Sequence, residues 1–235
     1  HDRYERPEKS AKSAAVLEHA RAALECCIHR GFGKHGLPYT GSGDWNDALD
    51  RVGGESVWLG WFFAYCAARF AELLERLGAD GAAHYRQYAA EAGSAADAAF
   101  NGKWYLRALY ADGEALGGGE RIDSVAQSWA VLSGFGSETR AASAMDSALF
   151  RLWDRENRLI RLLDPPYSDR ESSPGYITGY GEGFRENGGQ YTHGAIWLAI
   201  AALRLGRSAE GTAMLETLLP ETHEERIYQA EPFVL

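Results

Sequence analysis

The chain is short of cysteine, of positive charge and of long apolar runs, and each shortage excludes something. Three cysteines in 235 residues, two of them adjacent at Cys26 and Cys27, make neither a disulfide framework nor a metal-ligand spacing with Cys66. They read as reduced core residues of a cytoplasmic protein. Lys and Arg number 24 against 33 Asp and Glu, a formal charge of −9. No basic face is therefore expected for nucleic acid or for an anionic membrane surface. The reading finds no apolar run of the roughly 18–20 residues that a membrane span needs and no signal-peptide pattern, so no direct membrane contact is expected.

What is present fits a globular fold. A 46% apolar content over 235 residues is enough for one domain with a sizeable buried core. Seven Trp and twelve Tyr suit the faces of sugars, although such rings also fill cores. The sequence starts at His1 and stops on the apolar run "EPFVL". Both ends read as cut, so residues 1–235 are expected to form one domain belonging to something longer.

Apolar spacing of threes and fours predicts an all-α chain. Helices are expected over 7–30, 55–77, 80–99, a segment from Asp123 or Ser124 to the glycine of "LSGFG", 137–152, 190–205 and 208–219. Asp123 or Ser124 is placed to cap its helix. "KWYLRALYADGEALGGG" alternates around Asp112-Gly113 and predicts a β-hairpin. "RLIRLLDPPY" reads as extended. Two connections, 31–54 and 165–190, are unusually long and too rich in aromatic residues to be disordered. Helical hairpins with functional loops at one end point to an α/α barrel or toroid, with a pocket where the loops converge.

The first loop holds "GSGDWNDALD". A carboxylic acid can protonate a leaving oxygen when its surroundings raise its pKa, as an aromatic wall does. Asp44, Asp47 and Asp50 are the carboxyl candidates, with Trp45 as wall and Asn46 as a fixed hydrogen-bonding group. The same letters also suit a helix N-terminus capped by Asp44 or Asp47. The second loop ends in "GFRENGGQYTHGAIW". There Arg185, Glu186, Asn187, Gln190 and His193 crowd beside Gly188 and Gly189 at the mouth of a helix. Exposed backbone N–H groups with an arginine and a histidine make a natural anion site. A capped helix with His193 as a satisfied core histidine accounts for the same stretch.

Four blocks, "TGSGDWNDALDRVGGESVWLGWF", "RIDSVAQSWAVLSG", "PGYITGYGEGFRENGGQYTHGAIW" and "YQAEPFVL", together resemble glycoside hydrolase family 94. These are inverting phosphorylases of β-linked glucosides, and the blocks are most similar to the family's cyclic β-1,2-glucan type. The resemblance runs in order from about residue 36 to the end. It implies part of an (α/α)6 barrel with short β-hairpin insertions, lacking its opening helices. It makes Asp47 the general acid and Trp45 a wall of the donor sugar subsite. His193 is expected to contact phosphate, with Gly188 and Gly189 beside it, and Arg185 and Glu186 to meet sugar hydroxyls. We add Asp44, Asn46 and Gln190 to the expected sugar-binding set. The implied partners are a β-glucan oligosaccharide and inorganic phosphate as co-substrate, with no cofactor and no metal, and family members are often dimers. The cyclic-glucan type usually reads "GDWNDGM", so Ala48 and Asp50 are departures. The isolated piece is expected to have little activity. Two rivals remain: a hydrolase using Glu186 or Glu231 as base, and a glucan-binding domain of a synthase without catalysis.

Overall fold

A computed structural model describes residues 14–168 and 174–219. Seven α-helices carry the described chain: α1 Val16–Arg30, α2 Val57–Arg76, α3 Ala82–Ala98, α4 Ser124–Leu132, α5 Glu138–Leu152, α6 Thr192–Arg204 and α7 Ser208–Thr217. Strands are only two residues long: β1 Glu55–Ser56, β2 Ala108–Leu109, β3 Ile122–Asp123, β4 Trp153–Asp154, β5 Leu159–Ile160 and β6 Leu163–Asp164. They pair antiparallel as β1–β2, β3–β6 and β4–β5. The all-α expectation holds for the described residues.

The helices pack in a regular way. α3 lies on α2, α5 on α4 and α7 on α6, while α2 meets α4 and α4 meets α6. Each hairpin thus gives one helix to a shared row and one to its flank. α2 is long and apolar enough to cross a membrane by length and composition, contrary to the expectation that no run reaches that length. Trp58, Trp61, Phe63, Phe70 and Leu74 of this helix are buried in the fold, which marks it as a core helix. The main core joins Trp58, Trp61, Trp129, Met145, Leu152 and Leu198, and a second joins α1, α2 and α3 around Phe63, Leu74 and Tyr85.

Several expectations are refined. The first part of the expected 7–30 helix lies outside the described residues, and the helix ends at Gly31 as read. The turn at Asp112-Gly113 forms, with the Gly113 N–H bonded to the Tyr110 carbonyl at 2.8 Å. Its hairpin is short: a Leu109–Ala115 bridge and a hydrogen bond from the Tyr110 N–H to the Glu114 carbonyl at 2.8 Å, with Leu109 also pairing with β1 on its other edge. Of the two cap candidates it is Asp123 that caps α4, accepting from the Val125 N–H at 2.9 Å. The cysteines are free, but Cys26 is exposed and Cys27 and Cys66 are half-buried, so the reading of all three as core residues is corrected.

Candidate active site

Between Thr40 and Gly54 the chain runs through turns, and no helix begins there. α2 starts at Val57 with Ser56 as its cap, the hydroxyl accepting from the Leu59 N–H at 3.0 Å. Asp44 caps a local turn instead, accepting from the Asn46 N–H at 3.0 Å. The helix-cap account of this stretch is therefore not how it folds.

Asp44 is fully engaged inside the protein. Arg107 reaches it through both terminal nitrogens, at 2.6 and 2.7 Å, and the Ser56 hydroxyl donates to it at 2.6 Å. The two side chains are only 1% and 3% exposed. The Nε of Arg107 lies 3.2 Å from the Asp123 carboxylate, so one guanidinium serves two buried carboxylates. Burial pushes Asp44 upward, but Arg107, Ser56 and the Asn46 amide outweigh it and hold its pKa below the usual range. For Asp123 burial wins over Arg107, and its pKa is pushed up to about 6. Asn46 is also buried; its side-chain oxygen accepts from the Ala48 N–H at 3.2 Å, while its amide nitrogen has no partner.

The effect of this network is to fix the turn on which Trp45 and Asp47 stand. Asp47 itself is exposed. The Tyr176 phenol donates a hydrogen bond to it; desolvation and that bond push the phenol up to about 12. Tyr176 is held there by three hydrogen bonds between the two long loops. The Arg51 N–H donates to the Pro174 carbonyl at 2.9 Å, the Ile177 N–H to the Ala48 carbonyl at 3.0 Å, and the Tyr176 N–H to the Asp50 carboxylate at 3.1 Å. Gly175 between them has φ 153°, and a side chain there would run into the Ala48 carbonyl and Asp50. The departures Ala48 and Asp50 thus form the seam between the loops.

The second loop mixes locked and open groups. Asn187 is wholly buried and clamps Tyr167 from both sides, accepting from its N–H at 2.7 Å and donating to its carbonyl at 2.9 Å; it also donates to the Tyr180 carbonyl. Gly188 and Gly189 are buried, and the Gly189 N–H closes the turn onto the Arg185 carbonyl at 3.1 Å. That amide is therefore not an open donor for an anion, contrary to the sequence expectation. Gln190 accepts from the Ile160 N–H at 2.9 Å, so its carbonyl holds β5. Arg185 is exposed over the Tyr180 ring, 4.8 Å from its centroid. Glu186 is 5% exposed. The Tyr191 phenol bonds to it, its pKa raised by burial and by that carboxylate. One Glu186 oxygen has no hydrogen-bond partner, the nearest cation being Arg185 Nε at 3.5 Å.

Trp45 joins the two halves. Its indole N–H donates to Nδ1 of His193 at 3.1 Å, and its ring packs against Tyr191, His193 and Trp197, each at 5.4 Å between centroids. Gly194 leaves room for Leu162 at the start of α6, where a side chain would press on it. His193 is exposed, which disposes of the core-histidine account. Tyr176 thus meets Asp47, while Glu186, Tyr191, Trp45 and His193 form one contiguous group that the acid's turn joins through Trp45. Glu231 lies outside the described residues. Among the described residues, no three His, Cys, Asp or Glu come together as a metal site requires. Sequence reasoning missed Tyr176, Tyr191 and Arg107. Only Arg107 left a signal, a charge inside the alternating run "KWYLRALY".

An exposed carboxylate, a buried carboxylate with an oxygen left without a hydrogen bond, a histidine and an arginine around an aromatic wall are the equipment of a carbohydrate-active enzyme. Residues 3–235 match the model of the Glycosyl hydrolase 94 superfamily, catalytic domain, and the chain belongs to that family. It is 38% identical, over its whole length, to the cyclic beta-(1,2)-glucan synthase NdvB of Rhizobium meliloti (strain 1021), covering 9% of that protein. It is 29% identical over 97% of its length to the N,N'-diacetylchitobiose phosphorylase of Vibrio proteolyticus, covering 29% of it. To the solabiose phosphorylase of Paenibacillus borealis it is 32% identical over 81% of its length, covering 26% of that enzyme. The chain thus spans less than a third of the length of these curated relatives.

Proposed function

We propose that the chain carries the acid side of a glycoside phosphorylase that cleaves a β-glucosidic bond with inorganic phosphate. Asp47 protonates the leaving glycosidic oxygen while a phosphate oxygen attacks the anomeric carbon from the opposite face. The carbon–oxygen bond to the leaving sugar breaks, and α-glucose 1-phosphate departs with inversion. The observation that supports this reading is the hydrogen bond from Trp45, two residues before the exposed Asp47, to the exposed His193. Phosphorolysis needs one acid and an anion site, because phosphate arrives as a nucleophile. Inverting hydrolysis needs a second carboxylate spaced to hold water, about 6.5–9.5 Å from the first.

Glu186 is the described candidate for that second role. Its burial, its Tyr191 partner and its oxygen left without a hydrogen bond suit a hydroxyl-accepting sugar ligand better than a water-activating base. Arg185 is assigned beside it to the sugar, and Trp45 to the sugar's flat face. We assign Asp44, Asn46 and Gln190 to holding these groups in place, since their described hydrogen bonds run to the protein. A β-1,2-glucan is the proposed substrate, a reading supported by the name of the NdvB relative. The alternation of row helices α2, α4 and α6 with flank helices α3, α5 and α7 supports an (α/α)6 barrel completed by further chain. Free thiols suit a cytoplasmic setting.

The deciding experiment supplies β-1,2-glucan, with and without inorganic phosphate, to the complete protein rather than to this piece alone and identifies the products. Sugar phosphate formed only with phosphate upholds the proposal. Free glucose at the same rate in both cases makes the protein a hydrolase, and no turnover with retained glucan affinity makes it a binding domain.

A further inference from the structure

We infer that Trp45, beyond walling the sugar site, is a positioning residue that fixes the proton of His193 on Nε2. An indole N–H donates and cannot accept. At 3.1 Å from Nδ1 of His193, it requires a lone pair on that nitrogen. A neutral imidazole with a bare Nδ1 carries its proton on Nε2, and either the opposite tautomer or the imidazolium would set N–H against N–H.

The surroundings hold this pairing in one geometry. The His193 ring lies 4.0 Å from the Trp197 ring between centroids, and Trp45 meets both His193 and Trp197 at 5.4 Å. Ring rotation that exchanged the two nitrogens would have to open that packing. Trp45 cannot retreat easily either, because it also stands edge-on against Tyr191 at 84°. The fixed tautomer makes His193 a donor without making it a cation. A phosphate only accepts from such a group, so the arrangement offers it an N–H in the neutral state. Trp45 lies two residues before Asp47 in the chain, so the same side chain locks the acid's turn to the anion donor. The assignment of the tautomer rests on the indole bond alone; its use for phosphate rests on the function proposed above.

The test labels the histidines of the chain with 15N and reads the protonation of each ring nitrogen by long-range proton–nitrogen NMR, with His193→Gln to identify the signal. The expected result is a His193 with Nδ1 bare and Nε2 protonated at neutral pH, and a mixture of tautomers in Trp45→Phe, which keeps a ring without the N–H. A proton on Nδ1 in the parent chain overturns the inference, and so does an unchanged pattern in the Phe variant. The parent spectrum decides the tautomer even if the variant misfolds. Titration with inorganic phosphate then separates the two readings. A shift at Nε2 with a roughly 2–10-fold loss of affinity in Trp45→Phe upholds both. A fixed tautomer with no response to phosphate upholds the inference and overturns the anion role of His193.

Discussion

The two loops that meet at Trp45 are built on different principles. The acid-bearing turn, 40–54, is anchored by charge: one guanidinium, two carboxylates and a hydroxyl, all withdrawn from solvent. The loop before α6 is anchored by neutral groups, with Asn187 bridging Tyr167 and Tyr180 and Gln190 holding β5. In each, the residue most suited to chemistry stands exposed on a scaffold of buried partners. A charge-anchored loop tolerates the loss of a partner badly, because what remains is an ion without compensation in a dry interior. An amide-anchored loop loses hydrogen bonds but strands no charge.

That difference can be broken from either side, and the exposed acid provides the reference. Asp47→Asn should lower turnover by roughly 10²–10⁴-fold while moving stability by no more than about 0.5 kcal/mol; steady-state kinetics and urea unfolding check both halves. Arg107→Met should destabilise by about 3–5 kcal/mol, since Asp44 and Asp123 then remain buried and unpaired. Urea midpoints should place it well below the parent. Asn187→Ala should fall between, at roughly 1–3 kcal/mol, for the buried Tyr167 and half-buried Tyr180 backbone groups it leaves without the Asn187 side chain. If Asn187→Ala proved as damaging as Arg107→Met, the contrast between the two anchors would fail.

A further contrast is a pH slope. Asp123 is raised to about 6 in the fold, against about 3.9 unfolded. The folded state therefore binds a proton more tightly, and its contribution is full below pH 4 and is lost as pH rises through 6. Asp44 has the opposite sign, its lowered pKa contributing above the unfolded value and failing in acid. Asp123→Asn should keep the α4 cap through its side-chain oxygen and remove the fall between pH 4 and 6, a difference on the order of 2 kcal/mol. Unfolding curves at pH 4, 5 and 6 would show it. Parallel slopes in parent and variant would mean that Asp123 is not the titrating group.

Much of this was legible in the sequence, and the remainder was illegible for a definite reason. Periodicity found the helices, since each buries a stripe set by its own spacing, and the tryptophan and histidine of the two loops stood out as residues that turns do not need. The protein partners of Asp44 and Gln190 were not legible, because a polar side chain looks the same whether its partner is a sugar or the protein. The partner of Asp44 is 63 residues away, and that of Gln190 is 30 residues back. Gly188 and Gly189 failed similarly: glycine signalled a special backbone, but not that the Gly189 amide was already committed. Asp123 was recognised as a cap and not as an ion-pair partner, because capping is local and the pairing with Arg107 is made by the fold. The short strand pairs that align β1 with β2 lie beyond any pattern two residues can carry.

The seam stitched by Ala48, Asp50, Gly175 and Tyr176 has an outcome for motion. The Tyr176 phenol and the Asp47 carboxyl come from distant parts of the polypeptide and are tied by three hydrogen bonds between their loops. A displacement of either loop that leaves those bonds intact carries both groups together.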